Sequence, residues 1–366
     1  MTHVLMLVRR FALGVMLIIA AIAILLWSDP KRIGADKSVD ASTQIAVVTY
    51  ASIPVLEEGV KGFLAGLKDG GFADGQNCQI RIFNAENDRT TAALIAKEIV
   101  GDTYDLVGTI STPTLQAVAA ANVETKMNHV FSLTTDPWGA GIGVSRDDPY
   151  DHPPYMTGYG SLQPVEALFK LALEANPKLQ RVGVVWNPSE ANSESSTLAA
   201  RAACKKLNVE LIEATVDTSS GVVDAVNSLI SRSVEAVWSG GDSTVASARD
   251  AMISATSKAK IPLFTNMPND IQQGALFSLG ADYSQVAYEG GLLAARVLEG
   301  ESPKQIPVEN VVPKQLALNF QVLPTYSKNW TFGKDWATQA AMTIDRDGNL
   351  VVNEKTGSAE ADNEEN

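Results

Sequence analysis

The feature that most constrains the fold is an alternation of short apolar segments with helical segments, which occurs twice along the chain. In the first half, apolar runs at 45–49, 78–83, 105–110 and 129–133 are separated by segments with helical spacing. A short continuous apolar run is typical of a buried strand, whereas apolar residues three and four positions apart mark one helix face. Alternating strands and helices predict a parallel sheet covered by helices.

The same alternation restarts after the Pro- and Tyr-rich stretch 149–160. Further strands are predicted at 181–186, 210–214, 236–239, 262–265, 277–281 and 315–319. We therefore predict an α/β fold of two Rossmann-like lobes with parallel sheets, joined by a hinge that lets them close around a ligand.

Several chain crossings define the expected lobes. The N-terminal lobe is predicted to comprise residues 44–157 plus 284–304, and the C-terminal lobe residues 158–283 plus 305–326. Residues 327–366 are an extension, and its last part, 354–366, is predicted to be a disordered acidic tail because it holds five acids and one lysine.

The amino terminus has the pattern of a membrane-targeting segment. Arg9 and Arg10 precede residues 11–27, which carry no charge and, as a helix, would cover about 26 Å of a roughly 30 Å hydrocarbon layer. Residues 1–27 are predicted to be a signal peptide or an uncleaved anchor, followed by a linker over 28–43. We favour the anchor, because the A-x-A motif at 21–23 lies inside the apolar run. The basic flank places the body outside the cytoplasm, in the periplasm or at the outer face of the cytoplasmic membrane.

Composition narrows the class of partner. The chain has 29 basic and 42 acidic residues, a formal net charge of −13, which argues against a nucleic-acid partner. Two isolated cysteines, Cys78 and Cys204, and three histidines provide no metal or redox motif. We expect no metal, no cofactor and no catalysis, since no nucleophile–base pair is evident either.

Polar residues follow the predicted strands, at the edge where ligands bind in parallel α/β sheets. The candidate ligand-binding residues are Ser52, Ser111, Thr112, Thr135, Asp136, Asn187, Glu190, Asn192, Ser193, Asp242, Ser243, Asn266 and Asp282. Ser111, Thr112 and the free N–H groups of the helix behind them suit a carboxylate. The carboxylates of Asp136, Glu190 and Asp242 suit an ammonium, so an amino acid is the predicted ligand.

Aromatic residues lie beside the same strand ends and are predicted to form a wall for an aromatic or apolar side chain: Tyr50, Trp138, Trp186 and Trp238. Structural roles stay open for several candidates. Ser111, Thr112, Asp242 and Ser243 are equally suited to cap helices. Trp186 and Trp238 also fit core positions at strand ends, Glu190 fits an exposed loop, and Asp282 fits a hinge.

Particular segments of the chain carry a family resemblance. They are VGVVWNPSEANS (182–193), GGDSTVASA (240–248), AKIPLF (259–264), the long run LGADYSQVAYEGGLLAARVLEGESPKQIPVE (279–309), and Thr135-Asp136-Pro137. With them, residues from about 44 to 326 resemble the substrate-binding proteins of ABC importers, in the group that includes binders of tryptophan and other aromatic amino acids. The resemblance implies the type I periplasmic binding protein fold, with three segments crossing between lobes. It also implies that the STPT, NPSEANS and GDST loops line the cleft.

The predicted function is capture of a small ligand between the lobes and its delivery to an ABC permease, by a protein that acts as a monomer. An amino acid with an aromatic or branched side chain is the first candidate ligand. Two alternatives remain open at this stage: a membrane-tethered ligand-sensing module of the same fold, and a binder of a sugar-like or nucleoside ligand.

Overall fold

The structure, a computed structural model, describes residues 43–326 and 328–353. The predicted leader, nearly all of the predicted linker, and the acidic tail lie outside the described residues. The strands are β1 Thr43–Thr49, β2 Cys78–Asn84, β3 Leu106–Ile110, β4 Asn128–Thr134, β5 Met156–Gly160, β6 Arg181–Trp186, β7 Glu210–Thr215, β8 Ala236–Ser239, β9 Leu263–Thr265, β10 Phe277–Ala281, β11 Glu309–Asn310, β12 Lys314–Asn319, β13 Met342–Ile344 and β14 Leu350–Val352. The helices are α1 Pro54–Asp69, α2 Arg89–Val100, α3 Thr112–Ala121, α4 Val165–Ala175, α5 Ala191–Leu207, α6 Val222–Ser231, α7 Ser243–Ala246, α8 Arg249–Lys258, α9 Tyr283–Leu298 and α10 Trp336–Gln339.

The first lobe is built on a parallel sheet with the strand order β11-β5-β4-β3-β1-β2. Side chains alternate between the faces of a strand, so Ile45 and Val47 of β1 pack into one apolar cluster, and Ala46 and Val48 into another. Both faces of the sheet are therefore buried, which explains why β1 is a continuous apolar run.

Helix α9 returns to the first lobe and packs closely on α1. A Cβ atom at Gly62 would overlap the carbonyl oxygen of Ser284, and one at Gly66 would overlap that of Tyr288. Glycine is required at these two positions because the helix backbones touch there. This contact ties the later part of the chain to the first lobe.

The second lobe has the strand order β14-β13-β12-β10-β9-β8-β6-β7. Strands β6 to β10 are mutually parallel, as predicted, but β12 runs antiparallel to β10. The reason is the path of the chain: β10 ends at the hinge and β12 starts from it, so the two neighbours must run in opposite directions. Strands β13 and β14 then extend the sheet with residues that were expected to lie outside both lobes.

The chain crosses between the lobes near 161–164, at Asp282 and near 311–313, and these segments lie side by side. The N–H of Leu162 donates to Asn310 Oδ1 (2.7 Å), and the N–H of Asp282 donates to the Pro313 carbonyl (3.1 Å). The two-lobed α/β fold is confirmed. The lobe boundaries differ from the expected ones, because β5 reaches Gly160 and β11, at Glu309–Asn310, pairs with β5 in the first sheet.

The extension packs onto the second-lobe core. Trp330 and Trp336 are buried, with ring centroids 6.5 Å and 6.1 Å from that of Phe277. The residue pattern over 245–258 predicts one helix, whereas the structure forms α7 and α8 with a break between them. Within the described parts of the chain, none of the helices combines the length and apolar character needed to cross a membrane.

Candidate functional site

A cavity of about 50 Å³ lies between the lobes at the carboxyl ends of their strands. We call it the inner pocket. Its polar lining comes from both lobes and from the first crossing segment: Ser111, Thr112, Thr135, Ser161, Gln163, Asn192, Asp242 and Ser243. The rest of the lining consists of largely apolar residues: Ile53, Val55, Leu56, Leu133, Gly241, Ala246, Met267 and Tyr283.

The first-lobe edge of the inner pocket presents hydroxyls and a helix N-terminus. Ser111 ends β3 and precedes α3, and its Oγ lies 3.0 Å from Thr114 Oγ1. The N–H of Thr135 donates to Thr112 Oγ1 (3.2 Å), which links the ends of β3 and β4. No carboxylate of the first lobe lines the pocket among the described residues, so this edge is neutral and rich in donors.

Two residues on this edge have strained backbones. Ser111 has φ 119° and Leu133 has φ 51°, conformations that side-chain-bearing residues adopt at a cost. Both line the inner pocket. Strain of this kind persists where the surrounding structure holds a functional geometry, so it marks the ends of β3 and β4 as part of the site.

The second-lobe edge carries a buried carboxylate pair, Glu190 and Asp242. Asp242 Oδ2 accepts from the N–H of Asn187 (2.7 Å) and from Ser193 Oγ (2.5 Å), while Oδ1 accepts from the N–H of Val245 (2.8 Å). Asp242 thus caps α7 and still lines the inner pocket, with acceptor capacity left on Oδ1.

Glu190 lies behind Asp242 and its oxygens are fully engaged. Oε1 accepts from the N–H (2.9 Å) and the hydroxyl (2.5 Å) of Thr244, and Oε2 accepts from the N–H of Ser243 (2.9 Å) and from Asn192 Nδ2 (2.9 Å). Burial raises the pKa of the Asp242 carboxyl, and repulsion from Glu190 raises it further. A cation in the inner pocket would relieve this repulsion.

The hinge contributes a network around Tyr283. Gln163 Nε2 donates to the Tyr283 hydroxyl (2.9 Å), which in turn donates to the Asn266 carbonyl (3.2 Å). Asn266 also accepts at Oδ1 from Trp238 Nε1 (3.0 Å). Two of the crossing segments are therefore connected directly to the second-lobe core beside the inner pocket.

A larger cavity of about 410 Å³ adjoins the inner pocket on the hinge side. We call it the hinge-side cavity. The two cavities share the lining residues Ile53, Val55, Ala246, Met267 and Tyr283. The hinge-side cavity also contains Glu58, Asp282 and the buried ion pair Arg249–Asp270 (3.2 Å). Burial raises the pKa of Glu58.

Direct contacts join the lobes across the cleft. Asn269 Nδ2 of the second lobe donates to both carboxylate oxygens of Glu58 (2.9 and 2.8 Å), and Ser195 Oγ donates to Asp136 Oδ2 (3.3 Å). Arg89 donates to the Ser189 carbonyl. These contacts bridge the cleft at several points, so the structure has its lobes drawn together.

The candidate residues from the sequence fall into three groups. Those that line the inner pocket are Ser111, Thr112, Thr135, Asn192, Asp242 and Ser243. Those that support it from behind are Asn187, Glu190, Ser193 and Asn266. The remaining three lie elsewhere: Ser52 is exposed and accepts from Asn84, Asp136 pairs with Arg146 (2.9 Å), and Asp282 lines the hinge-side cavity.

Two of the acids that were expected to hold an ammonium are therefore not in the pocket lining. Glu190 is turned towards the start of α7, and Asp136 towards Arg146 and the N–H of Gly139 (3.0 Å). Their oxygens accept hydrogen bonds from protein groups: backbone N–H groups and the Asn192 amide for Glu190, and a backbone N–H and a guanidinium for Asp136. Among the three acids, Asp242 is the one that faces the inner pocket.

The four residues of the predicted aromatic wall line neither the inner pocket nor the hinge-side cavity. Trp238 is fully buried in the second-lobe core, 5.5 Å from the ring of Phe169, and Trp186 lies beneath Arg201. Trp138 stacks with Arg146, and Tyr50 packs in the first-lobe core. The aromatic residue that the structure does place in both cavities is Tyr283.

Sequence reasoning missed Ser161, Gln163 and Gly241 as pocket residues. Ser161 and Gln163 follow the end of β5, where no strand was predicted, so no strand-end pattern pointed to these two residues. Gly241 has a signal, because it stands beside Asp242 in the quoted GGDST motif. A Cβ atom there would lie 3.0 Å from Gln163 Nε2 and 3.2 Å from Thr135 Oγ1, so glycine allows the lobes to approach.

Comparisons with known proteins agree with this architecture. Residues 44–326 match the sequence profile of the family described as ABC transporter substrate binding protein. A tyrosine-binding protein of Clostridioides difficile strain R20291 is 31% identical over 290 residues, covering 79% of this chain and 82% of that protein.

Several solved structures are also similar to this chain. A conserved domain protein from Vibrio cholerae has a TM-score of 0.77 at 31% identity, covering 82% of this chain and 99% of that one. A domain from Streptococcus pneumonia in complex with L-Trp has a TM-score of 0.76 at 24% identity, covering 83% and 100%. The ligand-free, open structure of a substrate-binding protein with adhesive properties from Clostridium difficile has a TM-score of 0.59 at 27% identity, covering 80% and 99%. The resemblance stated from the sequence is confirmed, and the chain belongs to the family of ABC transporter substrate-binding proteins.

Proposed function

We propose that this protein captures a free amino acid with an aromatic side chain between its lobes and presents it to an ABC permease. The observation that carries the proposal is the opposition of two unlike edges across the inner pocket. Neutral hydroxyls and the N-terminus of α3 face a buried carboxylate, Asp242, of the other lobe. A zwitterion matches both edges at once, its carboxylate on the donor-rich side and its ammonium on the acidic side.

The relatives support the aromatic class. One is named as a tyrosine-binding protein, and one structural neighbour was solved with L-Trp. The lobe arrangement supports capture by closure, because contacts such as Glu58–Asn269 exist when the lobes meet. The open relative superposes less well than the Vibrio cholerae structure, with TM-scores of 0.59 and 0.77, although both cover similar shares of this chain.

The remaining parts of the proposal follow from this role. The protein works as a monomer with the permease as its membrane partner, residues 11–27 hold it at the outer face of the membrane, and it performs no catalysis on its ligand. A ligand moves a two-state clamshell only through its preference for the closed state. About 5.5 kcal/mol of such preference shifts the populations from 1:99 to 99:1, which lies within the roughly 8 kcal/mol of a micromolar complex.

A thermal-shift screen of residues 44–366 tests the proposal. The panel contains amino acids, sugars and nucleosides at equal concentrations. Tyrosine or tryptophan at a hundred times its Kd should raise the free energy of unfolding by about 2.7 kcal/mol, with no shift from glucose or adenosine. Stabilisation by a sugar or a nucleoside, and by no amino acid, would contradict the proposed ligand class.

A further inference from the structure

The inner pocket is too small for an aromatic amino acid. Its volume of about 50 Å³ lies well below the roughly 300–1,000 Å³ that is typical of small-molecule sites. That matches the amino and carboxylate groups of a ligand and leaves no space for a ring. The side chain of the ligand must therefore lie in a second space that is continuous with the inner pocket.

The hinge-side cavity is the space that meets this requirement. It is about 410 Å³ in volume and shares five lining residues with the inner pocket, four of them aliphatic or thioether side chains. These shared residues, Ile53, Val55, Ala246, Met267 and Tyr283, form an apolar collar between the two cavities. A ring leaving the inner pocket would pass through this collar, where apolar contact favours it.

Beyond the collar, Glu58 presents a half-buried carboxylate to the hinge-side cavity. Its two oxygens share one side-chain donor, Asn269 Nδ2, at 2.9 and 2.8 Å. Asp282 has a donor on each oxygen, from the N–H of Gln285 (2.9 Å) and Gln315 Nε2 (2.8 Å), and Asp270 pairs with Arg249. A carboxylate accepts about four hydrogen bonds, so Glu58 retains capacity for a further donor.

The far wall of the hinge-side cavity comes in part from the extension. Met342 and Val352, on β13 and β14, line it, and both lie beyond residue 326, where the family match ends. The shape of this end of the cavity therefore depends on residues that lie outside the family match.

We propose that the hinge-side cavity receives the side chain of the ligand, and that Glu58 accepts a hydrogen bond from a donor at the far end of that side chain. The protein then selects a ring that ends in O–H or N–H over an apolar ring of the same size. This inference rests on the proposed function, because it places an amino acid's head group in the inner pocket. The physical reason for the selection is that an apolar ring would cover a half-buried carboxylate without replacing its water.

Titration calorimetry with tyrosine and phenylalanine tests the inference, because the two ligands differ by one hydroxyl. The wild type should bind tyrosine at least about ten times more tightly than phenylalanine, as expected for a hydrogen bond to a charged group. In Glu58→Ala, tyrosine should weaken to the level of phenylalanine, whose own Kd should change by less than about three-fold. Glu57→Ala is the matched control, since Glu57 is the exposed neighbour, and it should keep the wild-type ratio.

The outcomes separate the two proposals. Equal affinities for tyrosine and phenylalanine in the wild type, with clear binding of both, overturn this inference and leave the proposed function standing. If Glu58→Ala weakens both ligands by the same factor, Glu58 acts only through its closing contact with Asn269, and the inference is again overturned. If no amino acid binds to the wild type, both proposals fail together.

Discussion

The two edges of the inner pocket both lie at the carboxyl ends of parallel strands, but their chemistry is opposite. On the first-lobe edge, Ser111 and Thr112 offer hydroxyls and helix N–H groups, and their electrostatic contribution comes from backbone dipoles. On the second-lobe edge, the Asp242 and Glu190 carboxylates are buried together and held by backbone and hydroxyl donors. Under the proposed function, each lobe would supply half of a zwitterion site, so neither lobe alone would bind the whole head group.

The two lobes also differ in the unfavourable energy that each holds at the site. The first lobe carries it as backbone strain, at Ser111 and Leu133 with positive φ. The second lobe carries it as charge repulsion within a buried acid pair. Under the proposed function, the ammonium of the ligand would relieve the repulsion in the second lobe, whereas the strain in the first lobe involves no charge that a ligand could neutralise. We therefore expect changes in the second lobe to affect binding more.

The largest expected effect comes from Asp242→Asn, which keeps the size of the side chain and removes the charge that faces the pocket. Tyrosine binding should weaken by about 2–5 kcal/mol, or roughly 30-fold and more, because the ammonium loses its buried partner. Calorimetry with tyrosine and with the analogue that lacks the amino group measures this. The analogue should bind the variant no worse than it binds the wild type.

The melting temperature of unliganded Asp242→Asn serves as its control. Asp242 also caps α7, so a loss of fold would imitate a loss of binding. If the variant folds normally and tyrosine keeps its wild-type affinity, the assignment of the ammonium to the second lobe is refuted.

An intermediate effect is expected from Gly241→Val, which obstructs the meeting of the two edges. A side chain at this position would press on Gln163 Nε2 and Thr135 Oγ1, at 3.0 and 3.2 Å from its Cβ atom. Overpacking of this kind costs about 1–3 kcal/mol, so every ligand should bind about ten-fold more weakly. Small-angle X-ray scattering with saturating tyrosine should show less compaction than for the wild type.

Gly221→Ala is the matched control for Gly241→Val, because a Cβ atom at Gly221 meets only ordinary contacts in the same lobe. It should leave both affinity and compaction unchanged. Equal compaction of Gly241→Val and the wild type would show that the lobes do not meet at this glycine.

The smallest expected effect belongs to Ser111→Ala on the neutral edge. It removes one hydroxyl and leaves the helix N–H groups, so tyrosine should weaken by about 0.5–1.5 kcal/mol, about three- to ten-fold. Tyramine, which has no carboxylate, should bind the variant and the wild type equally when measured by calorimetry. A larger loss than in Asp242→Asn would reverse the order proposed for the two edges.

Much of the fold could be predicted from the sequence, because it depends on local patterns. Strands β6 and β10 have the predicted bounds, since an apolar run is read within one segment. The pocket residues Ser111, Thr112 and Asp242 were also accessible, because carboxyl ends of parallel strands share one edge. Strands β11, β13 and β14 were not predicted, because they are two or three residues long and, unlike the equally short β9, they lie outside the regular alternation of strands and helices.

The two-lobed α/β architecture and the polar character of the strand ends could be predicted from the order of residue types along the chain, because both depend on local patterns. The tertiary structure decided which polar groups remain available to a ligand. Glu190 and Asp242 are both acids in loops after strands, yet Glu190 is consumed by Ser243 and Thr244 while Asp242 faces the pocket. That outcome depends on donors more than fifty positions away, which are brought to Glu190 by the pairing of β6 with β8 in the second lobe.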